Sequence, residues 1–104
     1  MLVVAFATVG TAASSLATNL DAGKAKATEV CAACHGLDGN STTPDFPKLA
    51  GQHHDYLAKA LRDYKSAQRK NAIMEGFAAA LTKEDIENLA AYYAAQPAVL
   101  SAKY

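Results

Sequence analysis

The chain has 104 residues, which is enough for one small domain. Ten basic side chains balance ten acidic ones, and this zero net charge argues against a nucleic-acid-binding protein, a class that favours a basic surplus. Both cysteines lie within one short motif, so none is left for a structural disulfide.

The first seventeen residues carry no charged side chain and begin with an apolar run. Ser15, Leu16 and Ala17 form a small-residue segment that resembles a signal-peptidase cleavage site. The apolar run is too short, and too interrupted by Thr and Gly, for a membrane span of ~20 residues. We therefore predict a signal peptide over residues 1–17 and the functional domain over residues 18–104. Because no Lys or Arg precedes the apolar run, a retained apolar helix is the alternative.

A helix is predicted from Asp21 to His35, with Asn19 or Asp21 as its cap. It ends in Cys31-Ala32-Ala33-Cys34-His35, a C-x-x-C-H motif that is the attachment signature of a c-type haem. Two thiols at this spacing on a helix can reach the two vinyl groups of one porphyrin and form thioethers. The ring of His35 is then carried under the same macrocycle, where it can bind the iron.

Two other kinds of site use the same cysteines. A thioredoxin-like redox dithiol also contains C-x-x-C, but it requires a βαβ setting, and no strand pattern is found in this sequence. A zinc site would combine Cys31 and Cys34 with His53 and His54. Structural zinc sites have four ligands in closely paired spacing. In this sequence the histidine pair is distant from the cysteines, and the fourth ligand of the set is hard to place.

A long loop and a second helix follow the motif. Gly36 to Gly51 is rich in Gly, Asp, Asn, Ser and Pro, and a loop of this length is typical of a functional segment such as one that wraps the edge of a cofactor. Gln52 to Gln68 is predicted to be helical, because Tyr56, Ala60 and Tyr64 recur every four residues.

The segment from Arg69 to Leu81 is predicted to be irregular or weakly helical, and it contains Met74. A haem iron bound by His35 has a sixth position on its opposite face, and Met74 is the strongest candidate for it. A thioether ligand favours ferrous iron and raises the reduction potential relative to two histidines. The alternatives are that Met74 only fills a gap in the core, or that His53 or His54 is the sixth ligand.

The last predicted helix begins at Thr82 and ends near Gln96, where Pro97 stops it. Thr82 and Asp85 are placed for a capping box, with Leu81 and Ile86 at the hydrophobic positions around it. Three helices without strands predict an all-α fold.

Together these segments resemble the class I c-type cytochromes, in particular the small bacterial periplasmic type with one haem. The resemblance extends from about Asp21 to Gln96. It implies a class I cytochrome c fold, with three main helices and loops wrapped around one covalently attached haem c and its iron. The segments that carry it are Cys31-x-x-Cys34-His35, Pro47-Lys48-Leu49-Ala50-Gly51-Gln52, Tyr56-Leu57, Arg69 before Met74, Leu81-Thr82 and Leu89-Ala90-Ala91-Tyr92-Tyr93.

The resemblance also assigns roles to individual residues. It implies that the Pro47 carbonyl accepts a hydrogen bond from Nδ1–H of His35, with Pro44 as the nearby alternative. It implies that Gly23 lies where the first helix crosses the last one, near Leu89 and Tyr92. The family often has an aromatic residue where this chain has Ala27, so we expect a differently packed crossing.

The chain has no tryptophan whose indole could donate a hydrogen bond to a haem propionate. Tyr56, Tyr64 and Arg69 are the candidate substitutes. For each tyrosine the alternative is simple core packing.

In function, the resemblance implies a one-electron carrier with His35 and Met74 as axial ligands and no catalytic residues. Its partners would be redox proteins such as a terminal oxidase, a reductase or a dehydrogenase, some of them at the membrane, in transient complexes in the periplasm. One alternative is a gas-binding or peroxidatic haem protein with a weak sixth ligand. Another is a cytochrome subunit of a larger dehydrogenase.

Overall fold

The computed structural model describes residues 3–5 and 19–99, and most of the predicted signal peptide therefore lies outside the described residues. Within these ranges the chain is all-helical and contains no strand, which confirms the predicted fold class. The helices are α1 (Leu20–Val30), α2 (Ala32–His35), α3 (His54–Lys65), α4 (Ala72–Ala79) and α5 (Lys83–Ala94).

The segment predicted as one helix from Asp21 to His35 is two helices that meet at Cys31. Asn19 caps α1, since its side chain accepts a hydrogen bond from the backbone N–H of Ala22 at 3.0 Å. At the other end, the Cys31 carbonyl accepts bonds from both Cys34 N–H at 3.3 Å and His35 N–H at 3.0 Å. The turn at the haem-attachment motif therefore combines a 3₁₀-type bond from Cys34 with an α-helical bond from His35.

The first and last helices cross at Gly23, as the family resemblance implies. A Cβ at this position would lie 2.3 Å from the Asn88 carbonyl oxygen and 2.8 Å from Cβ of Tyr92. Only glycine therefore allows the two backbones to approach so closely. The start of α1 is also tied to α5, because the Asn19 N–H donates to Oδ1 of Asn88 at 2.9 Å. Ala27, one turn later, is fully buried in this crossing.

The helix α5 supplies half of the buried core residues. Its predicted capping box is present, with Thr82 Oγ1 accepting from Asp85 N–H at 3.0 Å and Asp85 Oδ2 accepting from Thr82 N–H at 2.9 Å. Of the other core residues, those of α1 and α3 pack directly on α5, α4 with Ala78 packs on α3, and Leu81 lies in the connection before α5. His54 Nε2 of α3 also lies 2.9 Å from Glu87 Oε2 of α5. The buried core comprises Ala27, Leu57, Ala58, Ala78, Leu81, Ile86, Leu89, Ala90, Tyr92 and Tyr93.

Residues 69–81 are predicted to be irregular or weakly helical, and the structure has a helix, α4, over Ala72–Ala79. The sequence pattern is weak here because Gly76 lies in the helix interior and the helix is short. Its start is nevertheless well capped, since Oδ1 of Asn71 accepts hydrogen bonds from Ile73 N–H at 3.1 Å and Met74 N–H at 3.0 Å.

The predicted loop from Gly36 to Gly51 is confirmed, and two tyrosines of α5 hold its first residues. The Tyr92 hydroxyl donates to the Leu37 carbonyl at 2.7 Å, and the Tyr93 hydroxyl donates to the Gly36 carbonyl at 3.2 Å.

None of the helices within the described ranges combines the length and apolar character that a bilayer crossing requires.

Candidate functional site

A largely apolar cavity of about 330 Å³ lies between the loop, α3, α4 and the inner face of α5. Its apolar walls come from each of these elements, and its polar groups are few. The apolar lining includes Val30, Phe46, Leu49, Leu57, Leu61, Ile73, Phe77, Ala78, Leu81, Leu89 and Ala90. Ligand pockets in proteins are concave and mostly apolar, so a cavity of this kind can enclose a large apolar group.

The three residues of the attachment motif meet at one side of this cavity. Cys31, Cys34 and His35 all line it, with His35 buried and both cysteines half-buried as free thiols. In the unmodified chain, burial raises the pKa of the Cys31 thiol to about 11, and a hydrogen bond with Tyr93 offsets part of this rise. The surroundings of Cys31 thus favour an uncharged sulfur, which is the state of a thioether.

One hydrogen bond orients the ring of His35. Its Nδ1 lies 2.8 Å from the Pro47 carbonyl oxygen, which can only accept, so Nδ1 carries the proton. The resemblance implies this hydrogen bond for Pro47, with Pro44 as the alternative, and in the structure the acceptor is Pro47. The edge of Phe46 also approaches the ring, with centroids 6.3 Å apart. Nε2, the other ring nitrogen, has no hydrogen-bond partner among the described residues and is the nitrogen that could bind a metal.

Met74 lines the same cavity as the attachment motif, from the first turn of α4. The residue that places it is Asn71, whose side chain binds the Met74 backbone N–H at 3.0 Å. Asn71 was missed in the sequence analysis. An Asn directly before an apolar run, here Ala72-Ile73-Met74, is an N-cap signal that could have identified both the helix and this role.

A cationic side chain lies at the cavity beside two tyrosines. Arg69 Nη1 donates to the hydroxyl of Tyr56 at 3.3 Å, and its guanidinium carbon lies 4.9 Å from the centroid of the Tyr64 ring. All three residues line the cavity. The structure therefore groups the three residues that the sequence analysis named as candidate propionate partners.

The histidines that were weighed as alternatives lie elsewhere. Neither His53 nor His54 lines the cavity, and His54 is engaged with Glu87. Within residues 3–5 and 19–99, no three His, Cys, Asp or Glu side chains are grouped so that they could hold a metal ion. This arrangement gives no support to a structural zinc site, and the all-helical surroundings of Cys31 and Cys34 give none to a thioredoxin-like dithiol.

The donor set fits a haem c. The site offers two sulfurs for thioethers, an imidazole with a free Nε2, a thioether side chain and a largely apolar cavity. Arg69, a cation at the cavity with a hydroxyl and an aromatic ring beside it, suits the carboxylate edge of such a group.

Comparisons with known proteins agree with this reading of the site. Residues 20–95 match the family model described as Cytochrome c. The chain is 45% identical over 97 residues to cytochrome c4 of Pseudomonas aeruginosa. The matched region covers 92% of this chain and 48% of that protein. It is 34% identical over 89 residues to the cytochrome subunit of sulfide dehydrogenase of Chlorobaculum tepidum, covering 85% of this chain and 80% of that protein.

Among solved structures, the crystal structure of reduced recombinant cytochrome c4 from Pseudomonas stutzeri matches with a TM-score of 0.75 and 42% identity, over 81% of this chain and 48% of that chain. The chain thus spans about half the length of the cytochrome c4 proteins that it matches. The family match covers most of the chain and includes the attachment motif, the Pro47 segment and Met74. The chain therefore belongs to the cytochrome c family of haem electron-transfer proteins, and its prosthetic group is a covalently bound haem c with its iron.

Proposed function

We propose that this protein is a one-electron carrier whose haem iron is bound axially by His35 and Met74. The observation that carries the proposal is that both side chains line the cavity that also receives Cys31 and Cys34. They come from different elements, the end of α2 and the first turn of α4, so the fold can place them on two faces of one flat group. An iron with two side-chain ligands has no open position for a substrate, which favours electron transfer over ligand chemistry.

The chain's own residues hold, orient and shield the prosthetic group. Cys31 and Cys34 anchor it, and the Pro47 carbonyl fixes the ring of His35 and raises the basicity of its Nε2. Leu57 and Leu89, which are buried, form part of the wall that keeps water out. When bound, the haem supplies the one-electron chemistry of its iron.

Arg69, Tyr56 and Tyr64 are proposed to face the carboxylate edge of the haem. Their support is their position at the cavity and the contacts that hold the guanidinium between a hydroxyl and an aromatic ring. An arginine guanidinium is positively charged in proteins, and the hydrogen bond with Tyr56 is the main cause that raises the pKa of Arg69 further. Such a fixed cation would offset the charge of a propionate.

We further propose that the protein works in the periplasm after export, with residues 1–17 as its signal peptide. The uncharged, largely apolar start and the cleavage-like segment Ser15-Leu16-Ala17 support this, as does the need of c-type haem for attachment outside the bacterial cytoplasm. Its partners would be terminal oxidases, reductases or dehydrogenases that it meets in transient complexes.

Optical spectroscopy tests the proposed ligation. The oxidised wild-type holoprotein should show the absorption band of Met-ligated ferric haem near the red end of the visible range. Met74→Ala should lose this band and, when reduced, should bind carbon monoxide rapidly. Rapid carbon monoxide binding by the reduced wild type would instead favour the gas-binding or peroxidatic alternative.

A second candidate function is that of a cytochrome subunit in a dehydrogenase. It is favoured by the match to the cytochrome subunit of sulfide dehydrogenase, of which this chain covers 80%. Purification from its native host distinguishes the two functions. Stable co-purification with a flavin- or molybdenum-containing subunit would identify a dehydrogenase subunit, whereas a free haem protein would identify a carrier.

A further inference from the structure

The residues that follow α5 lie against the loop that carries Pro47, and we call residues 97–99 the C-terminal strap. Its main contact is with Asn40, which uses both ends of its side-chain amide. Nδ2 donates to the Pro97 carbonyl at 2.9 Å, and Oδ1 accepts from the Val99 N–H at 2.7 Å. One amide thus binds two backbone groups of the same segment, which fixes both the position and the direction of the strap.

The strap contacts the loop at two further places. Nζ of Lys48 donates to the Val99 carbonyl at 2.7 Å. Ala98 packs beside Gly51, where an added Cβ would lie 3.1 Å from the Cβ of Ala98. The strap is therefore attached near the start of the loop, in its second half and at its end.

The middle attachment lies next to the group that orients the proposed haem ligand. Lys48 directly follows Pro47, whose carbonyl oxygen is 2.8 Å from Nδ1 of His35. The loop is also closed on itself here, because the N–H groups of Leu49 and Ala50 both point to the Gly39 carbonyl, at 2.8 and 3.2 Å. The two side chains that bind the strap lie next to this closure, since Asn40 directly follows Gly39 and Lys48 directly precedes Leu49.

We propose that the C-terminal strap, held by Asn40 and Lys48, positions the Pro47 carbonyl against His35 and so helps to set the reduction potential of the haem. This inference rests on the proposed function, since it takes His35 as the axial ligand. A ring N–H bound to a carbonyl makes the opposite nitrogen a stronger donor, which favours ferric iron. A released strap weakens that hydrogen bond and therefore raises the potential.

The test uses the mature holoprotein with the substitution Asn40→Ala. We expect a higher reduction potential than in the wild type and faster solvent exchange of the His35 Nδ1 proton in the NMR spectrum of the reduced protein. The Met74 absorption band should remain, because α4 is not part of the strap.

Asn88→Ala is the matched control. It also removes an amide that binds backbone, but at the crossing of α1 and α5, where Oδ1 of Asn88 accepts from Asn19 N–H at 2.9 Å. This variant should keep the wild-type potential and the wild-type exchange rate. A shift equal to that of Asn40→Ala would mean that general loosening of the fold is the cause, and it would overturn the proposal.

Val99→Pro disrupts the same contact, because proline lacks the backbone N–H that donates to Oδ1 of Asn40. Residue 99 lies beyond the last helix, so the proline interrupts no helix. It serves as the test if Asn40→Ala does not mature, and it should shift both readouts in the same direction. An unchanged or lower potential with unchanged exchange, in a variant that keeps the Met74 band, would overturn the role of the strap and leave the proposed ligation intact. Failure of the ligation itself would appear earlier, as a wild-type spectrum without that band.

Discussion

Met74 is the residue on which the proposed potential depends most, because its thioether is the proposed second ligand of the iron. The structure places it on α4 with its backbone held by Asn71, and it lies in the same cavity as His35. A neutral thioether stabilises ferrous iron more than an imidazole does. The ligand pair therefore predicts a carrier with a higher potential than a bis-histidine cytochrome would have.

Replacing Met74 by histidine should lower the reduction potential, because the second imidazole favours ferric iron. The potential can be measured by spectroelectrochemical titration of the wild type and Met74→His. The matched control is Ala79→His, which adds a histidine at an exposed position of the same helix that does not line the cavity, and it should keep the wild-type potential. If Met74→His has the wild-type potential, the sulfur of residue 74 is not on the iron.

At the level of the helices, α4 is short, and Met74 lies in its first turn, which the Asn71 side chain caps. Asn71→Ala removes two hydrogen bonds to the Ile73 and Met74 N–H groups, and loss of such a cap costs ~1 kcal/mol. We expect the Met74 absorption band to disappear at a lower temperature than in the wild type. Thermal titration of that band, alongside far-ultraviolet circular dichroism, measures this local loss.

The control for Asn71→Ala is Thr82→Ala, which removes the cap of α5. This change should lower the global unfolding temperature while the band and the helicity are lost together. Equal behaviour of the two variants would argue that α4 has no separate role in holding the ligand.

The crossing of α1 and α5 gives a second prediction for the helices. Gly23→Ala should destabilise the holoprotein by ~1–3 kcal/mol, because the new methyl group would meet the Asn88 carbonyl and Tyr92. Gly76→Ala is the control, since nothing lies within 4 Å of its added Cβ, and it should stabilise α4 by up to ~1 kcal/mol. Guanidinium unfolding measures both. Stability equal to the wild type in Gly23→Ala would show that the crossing is looser than described.

For the whole molecule, the haem would also complete the hydrophobic core, because the cavity that would hold it is lined by core residues. At ~24 cal/mol per Å³, leaving a cavity of about 330 Å³ empty would cost roughly 8 kcal/mol as an upper figure, which is comparable to the total stability of a small domain. The double variant Cys31→Ser/Cys34→Ser, which cannot attach haem, should therefore have reduced helicity and no cooperative unfolding transition. Circular dichroism and intact mass measure this. Native helicity with a sharp transition in a haem-free sample would contradict it.

Several features of this protein follow from the sequence alone, because they depend on neighbours in the chain. The attachment motif, the capping box of Thr82 and Asp85 and the all-α class are of this kind, since helix caps and the C-x-x-C-H spacing act within a few residues. The family resemblance added the expected acceptor at Pro47.

Other features were decided only by the tertiary structure. The packing of α4, the helix that carries Met74, against α3 and the hydrogen bonds of Asn40 with the strap depend on contacts between segments far apart in the chain. In α4 a weak helix is held by its cap and by packing of Ala78 in the core, and local propensity does not report such packing. The convergence of His35, Met74 and Arg69 on one cavity has the same cause, since the fold brings side chains together that no sequence spacing relates.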